Sequence, residues 1–576
     1  VGVAGADLEF YERVLRRHFG SYRNQIVLAD GPLLDRTVAS LAGAGTLRHL
    51  NRSWIAGPVR ALEAAHAKLI LLAAPESGLL LVGSGNLNLS GYAGAGECFT
   101  PYRWSPDESS DLAAFTTVRA LTDGLGQRGL LDEVTRERLQ VFWDAYDWWH
   151  SEPVSDGPVR HNLEVPLGEQ LKSLIGGERV EELVVVAPFH DRKCAALARL
   201  TTELAPRRCR VLIQPRHASV DPKRLAAVAK QHPLDVFEID AAGDNAGVYL
   251  HTKLILAKTR QRAICLTGSA NCSMVALWAR FPHANVEMGN LVVGDRASFD
   301  HLLDAAVVEI RGPVDPLSLD VSLQEDSDEA TADSQVRLDD LRWEAPVVSG
   351  RIHAVVSDPA RLAIEIEGRA VQAVVALTPE AHGTTRFEAS LLDPGDVEIV
   401  DRVAVVVVRI DDIPAAPTVP YQLSRLREQD RRRVDTERLR HAARLELDDP
   451  VGVGHLRAAQ EPAALALDAF GARAARRAGA AGIPRIARVA CVARVARVAG
   501  GPGRTGFARR SRAARGAGGA FLGGGSGGAH GAGRARNGDH DGRGAHDGGL
   551  VTCAEREGRG NRGGQDGIFH VGSLWG

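Results

Sequence analysis

Two short clusters carry residues suited to phosphate chemistry, and they match position for position. His66-Ala67-Lys68 is followed by Gly83-Ser84-Gly85-Asn86, and His251-Thr252-Lys253 by Gly268-Ser269-Ala270-Asn271. In both, Lys follows His by two residues, Ser follows Lys by sixteen, and Asn follows His by twenty. The chain has only seven lysines against nineteen histidines, so two His-x-Lys triplets have a chance expectation of roughly 0.2 before Ser and Asn are required. On a strand, residues two apart point to one face, so imidazole and ammonium are presented together. The Gly-Ser-x-Asn element is expected where a strand hands over to a helix, a place that offers backbone N–H groups, a hydroxyl and an amide to an anion. Two such copies facing each other would line one pocket with two His, two Lys, two Ser and two Asn. That set suits a phosphodiester, and it calls for neither metal nor cofactor, because fixed cations and donors can stabilise charge on phosphoryl oxygens.

These residues resemble the phospholipase D superfamily, whose two half-sites are each marked by H-x-K followed by G-[ST]-x-N. The resemblance covers about residues 20–312. It implies a metal-independent phosphodiesterase that works through a phosphohistidine, with His66 as nucleophile and His251 as general acid and later base. Lys68, Lys253, Asn86 and Asn271 would hold the phosphate, with Ser84 and Ser269 as further substrate contacts. The family also places a carboxylate after the Asn to orient a histidine, and Glu97 and Glu287 lie eleven and sixteen residues beyond Asn86 and Asn271. One departure is visible: where many members read H-x-K-x-x-x-x-D, this chain has Ala73 and Lys258. The Asp-less form is more similar to tyrosyl-DNA phosphodiesterases and phospholipase D-like nucleases than to lipid-cleaving members. A neutral imidazole attacking and a protonated one donating need opposite protonation states, so the pair is expected to titrate as a coupled set.

The elements that must position these residues follow an α/β order. An amphipathic helix over 8–19, a strand over 26–29 and a helix over about 33–50 precede two strands, 66–73 and 79–82, with a helix expected after Gly83. Later come strands at 183–187, 210–214 and 236–239 alternating with helices at 191–204 and 221–230, then strands at 251–257, 262–266 and 286–293. The expected fold is a duplicated phospholipase D-like α/β domain with two mixed-sheet halves, 1–157 and 158–313. An acidic linker over 314–340 leads to a β-rich accessory domain, 341–415, a candidate surface for a protein partner, and then to a charged helical segment, 416–450. Residues 451–576 hold 31 of the 61 glycines and 19 arginines with no lysine. They read as a low-complexity tail, disordered or translated out of frame.

Composition narrows the classes further. With 69 basic and 72 acidic residues the chain is near neutral, so its grip on nucleic acid would come from a local groove. No run of eighteen apolar residues occurs, which excludes a membrane-spanning helix, and the acidic first residues do not read as a signal peptide, so a cytoplasmic protein is expected. Seven cysteines without paired spacing read as reduced, buried thiols; Cys265 and Cys272 fit no zinc pattern. Tyr146, Trp148, Trp149 and His150 read as helix-end packing. Arg431, Arg432 and Arg433 read as a solvated helix face. The run Gly523-Gly524-Gly525 lacks the Gly-Lys-Ser/Thr of a phosphate loop. Nucleic acid is the expected substrate class. A lipid substrate would require an apolar rim near Trp54 or Trp104, and a silent scaffold would leave both histidines dispensable.

Overall fold

A computed structural model describes residues 6–19, 24–41, 45–150, 157–321 and 336–428; the expected tail, the basic triplet and most of the charged helical segment lie outside them. The N-terminal helix is shorter and differently wound than its periodicity suggests. Helix α1 (Leu8–Phe10) passes into a π turn over Tyr11–Leu15. Glu12 is turned inward there, accepting from the Arg48 and His49 amides and from Trp54 Nε1.

Strand β1 (Ile26–Asp30) leads into helix α2 (Gly31–Leu41) and pairs in parallel with β2 (Ile55–Val59). Helix α2 stops well short of residue 50, and Gly45 beyond it takes a left-handed φ of 58° that helix cannot continue through. Strands β3 (Leu69–Ala74) and β4 (Ser77–Gly83) form the expected antiparallel pair. After a two-residue strand, β5 (Ala95–Gly96), the chain adds β6 (Phe99–Trp104) to β4. No α-helix follows Gly83. Gly83 itself is tightly packed, a Cβ there lying 2.3 Å from the Cys98 carbonyl oxygen, and a loop with a π turn (Ser90–Gly94) follows. Helices α3 (Leu112–Gln127) and α4 (Glu133–Trp143) cover this sheet, burying Phe115, Val118, Leu121 and Trp143.

A larger mixed sheet follows. In chain order it contains β7 (Val159–His161), β8 (Glu182–Val186), β9 (Cys209–Ile213) and β10 (Leu234–Ala241). After the short β11 (Tyr249–Leu250), which pairs with β5 instead, it continues with β12 (Leu254–Lys258), β13 (Arg262–Gly268), β14 (Met288–Asp295) and β15 (Val308–Val314). The spatial order is β15-β10-β9-β8-β12-β13-β14-β7. Strands β8, β9 and β10 are parallel, and β12 runs antiparallel to β8. Helices α5 (Leu167–Ile175), α6 (Ala195–Leu204) and α7 (Pro222–Gln231) pack on it through Leu171, Leu197, Leu200 and Leu225. Both of the later helices start later than their periodicity alone suggests, because Asp191 and Asp221 accept hydrogen bonds from the first amides of the helix. The four-residue α8 (Met274–Leu277) follows the second Gly-Ser-x-Asn.

Residues 338–422 supply a five-stranded and a four-stranded sheet around a core of Trp343, Val348, Phe387 and Val408. The first of these strands, Leu338–Glu344, begins inside the segment expected to be linker. This region touches the α/β part through Tyr421, whose hydroxyl donates to Asp132 (2.8 Å) and lies 3.2 Å from the Ala56 carbonyl oxygen. Cys98, Cys194, Cys209, Cys265 and Cys272 are buried and free. Among the described residues, no helix is long and apolar enough to cross a membrane.

Candidate active site

The two His-x-Lys triplets are not inside strands. Each lies in extended chain just before one, β3 or β12, because its backbone bonds elsewhere. The His66 amide donates to the Val286 carbonyl (2.8 Å) and the Val286 amide to Ala64, while Asp30, at the end of β1, accepts from the Ala65 amide. The His251 amide donates to the Gly96 carbonyl (2.9 Å), continuing the β5–β11 pairing. Each triplet is therefore laid against the chain that follows the other copy's Gly-Ser-x-Asn.

The side chains repeat this crosswise pattern. His66 Nδ1 lies 3.1 Å from both Glu287 oxygens, and His251 Nδ1 lies 2.7 Å from Glu97 Oε1. Spacing could nominate the two glutamates but not say which histidine each would meet. Ser84 and Ser269 take a different place from that of substrate contacts. Both are fully buried; Ser84 Oγ donates to Glu97 and Ser269 Oγ to Glu287, and each accepts the amide one residue past that glutamate, Cys98 or Met288 (3.0 Å). Their hydroxyls fix the carboxylates that fix the histidines.

Lys68 and Lys253 are almost fully buried, held by donation to the carbonyls of their own histidines, His66 (2.8 Å) and His251 (2.7 Å). Burial pushes the Lys68 ammonium down to about 8 although Glu287 and Glu97 pull it up, and burial lowers Lys253 as well. Each lysine feels both glutamates, and each histidine feels the other triplet's lysine, so the two triplets share one electrostatic site. Burial also lowers both imidazoles below the usual histidine range, more than Glu287 and Glu97 raise them. Burial would raise the two carboxyls, but histidine, lysine and serine contacts outweigh it and hold them ionised.

The histidines are not equivalent. Lys253 Nζ lies 2.8 Å from His251 Nε2, which therefore acts as acceptor, and that ring is 10% exposed. The His66 ring is 24% exposed, and among the described residues nothing bonds its Nε2. With Nδ1–H directed at Glu287, His66 carries its free lone pair on the outward nitrogen. Asn86 and Asn271 are half-buried, each with its carbonyl accepting the amide two residues on (2.9 Å). Among the described residues, nothing partners the buried Asn271 Oδ1.

Several supports carried no spacing signal. Asn285 Nδ2 donates to Glu287 (3.0 Å), and Asn162 Oδ1 accepts the Glu287 amide (2.8 Å). Tyr102 reaches across to Asn290 (2.9 Å), which donates to Val82 and Thr267 and so ties β4 to β13 and β14. Among the described residues, no group of three His, Cys, Asp or Glu is arranged to hold a metal ion. The Trp104 and Trp148 rings stack at 4.1 Å, and Trp149 is fully buried, so that aromatic cluster packs the far end of the β3–β4 hairpin.

No protein-family model matches the chain, and no curated protein matches it in sequence. Among solved structures, the polyphosphate kinase from Porphyromonas gingivalis is similar over 54% of this chain, at 14% identity and a TM-score of 0.28. The chain spans 43% of that protein's length.

Proposed function

We propose that the chain is a phosphodiesterase of the phospholipase D type, built from two α/β halves, that cleaves nucleic acid through a phosphohistidine on His66. The observation that carries this is the crosswise pair of Glu-oriented histidines, each beside a buried lysine. In the first step the His66 Nε2 lone pair attacks phosphorus, an N–P bond forms, the bond to the leaving oxygen breaks, and that oxygen takes the proton from His251 Nε2. In the second, His251 takes a proton from water, the water oxygen bonds phosphorus, and the N–P electron pair returns to His66. Lys68 and Lys253 supply the positive charge that the phosphoryl oxygens need in both transition states.

The charge balance favours this sequence. Two ammonium groups offset two carboxylates around neutral imidazoles, so an arriving phosphodiester brings the charge that makes a proton on His251 favourable. It also gives Lys253 a stronger acceptor than the ring it caps. Nucleic acid is preferred to lipid because neither tryptophan on which an apolar rim would centre is free to form one: Trp54 is buried and Trp104 lies stacked on Trp148.

The test uses the full chain and a labelled single-stranded oligonucleotide in excess EDTA. Cleavage by the wild type and none by His66→Ala is expected; equal cleavage by both, or by neither, overturns the proposal.

The pH dependence follows from the shifts. One proton must be shared by two imidazoles that both lie below 6.5, so the singly protonated pair is most populated on the acid side of 6.5. Below that range the nucleophile is protonated and the rate falls. Above it the acid is lost, and near 8 Lys68 begins to lose its charge as well. The expected kcat/KM profile is a bell with its maximum below pH 6.5, belonging to the pair and not to either residue. A maximum above 8, with chemistry rate-limiting, would contradict it.

A further inference from the structure

Of the two histidines of the proposed site, His251 is the one with aromatic rings against it. Tyr249 stands two residues before His251, where the other copy has Ala64. Its ring centroid is 5.4 Å from that of His251, and His217 stacks on it at 5.2 Å with 23° between planes. Phe189 meets the His251 ring edge-on at 6.1 Å. Among the described residues, no aromatic ring is paired with His66.

These rings are not interior packing. His217 is exposed, Tyr249 and Phe189 are half-buried, and the His217 nitrogens have no partner among the described residues. Their backbone is nevertheless fixed. Gln214, itself buried, accepts the Leu250 amide (2.7 Å) and donates to the Val248 carbonyl (2.8 Å) and Asp240 (3.2 Å), while Asp240 also accepts the Gly247 amide (3.0 Å). A braced, accessible pair of stacked rings beside one histidine can hold a planar group against that histidine alone.

We infer that Tyr249 and His217, with Phe189 across the His251 ring, form a stacking platform for the base of the nucleotide on the leaving-group side of the scissile phosphate. The inference rests on the proposed function, in which His251 protonates the departing oxygen and therefore adjoins the departing nucleoside. Stacking needs no base-specific hydrogen bonds, so the platform accepts any base and rejects its absence.

The test uses the full chain and three dinucleotide probes with one phosphodiester each: both bases present, the 5′ residue abasic, or the 3′ residue abasic. The product ends identify which nucleoside departs. Wild type is expected to lose about tenfold in kcat/KM when the departing residue is abasic, and less than twofold when the retained one is. Tyr249→Leu and His217→Ala should remove that difference by slowing only probes whose departing residue bears a base, and Tyr249→Phe should preserve it. His217 is exposed, so its variant guards against a mere folding defect. Equal rates on all three probes with wild type, or equal slowing of all three by Tyr249→Leu and by His217→Ala, overturns the platform while His66-dependent cleavage keeps the phosphodiesterase reading. Cleavage that survives His66→Ala, or none on any probe, overturns both.

Discussion

His66→Ala is expected to lower phosphodiester hydrolysis by on the order of 10⁴-fold or more, because removing a nucleophile leaves only binding and charge stabilisation. His251→Ala should fail differently. With an activated aryl leaving group that departs without a proton, the variant should still form the phosphohistidine on His66. It should then stall, since nothing is left to deprotonate the water. Mass spectrometry of the quenched variant should find a stoichiometric, acid-labile phosphoryl group on the peptide containing His66. The asymmetry rests on the lone pairs: His66 Nε2 is unengaged among the described residues, whereas His251 Nε2 accepts from Lys253. A phosphoryl group trapped on His251 in the His66→Ala variant would reverse the assignment.

Glu287→Gln and Glu97→Gln should separate along the same line. A glutamine at 287 can turn an N–H toward His66 Nδ1, which moves the imidazole proton to Nε2 and removes the attacking lone pair. The expected loss in kcat is about 10³- to 10⁴-fold, as for the corresponding change in a catalytic triad, with KM little altered and the same factor for alkyl and aryl leaving groups. Glu97→Gln weakens the acid instead, so its loss should be large with a nucleoside leaving group and shrink to within about tenfold with an activated aryl one. Equal leaving-group sensitivity in both variants would mean that neither carboxylate serves one histidine in particular. Both are buried, so thermal unfolding of each variant is measured alongside.

How far the sequence reached can be read from particular residues. The triplets, the glutamates and most of the strands were legible because rare residue types recur at fixed spacing and apolar runs alternate. The identity of each His–Glu pair was not, since a separation of 154 or 221 residues is set by how segments dock and not by local pattern. The serines misled for a related reason: a hydroxyl beside an anion-binding turn reads the same whether it faces substrate or a buried carboxylate. Helix α2 ends earlier than its apolar periodicity suggests, because that periodicity continues past the point where Gly45 bends the backbone, and the turn after Gly83 reads the same whether a helix or a π turn follows. Tyr249 and His217 carry no sequence signal, because stacking between the turn after β9 and strand β11 joins residues that periodicity treats separately.

The Glu287–His66 contact also has a meaning in time. As the chain leaves the ribosome from its N-terminus, His66, Lys68 and Asn86 are all made long before the carboxylate that sets the histidine's tautomer, which comes 221 residues later. On the proposed function, the nascent polypeptide carries an attacking group that is chemically unarmed until translation has passed both glutamates and the late segment has folded back. On that same function, a chain that cleaves nucleic acid would therefore be inactive during its own synthesis.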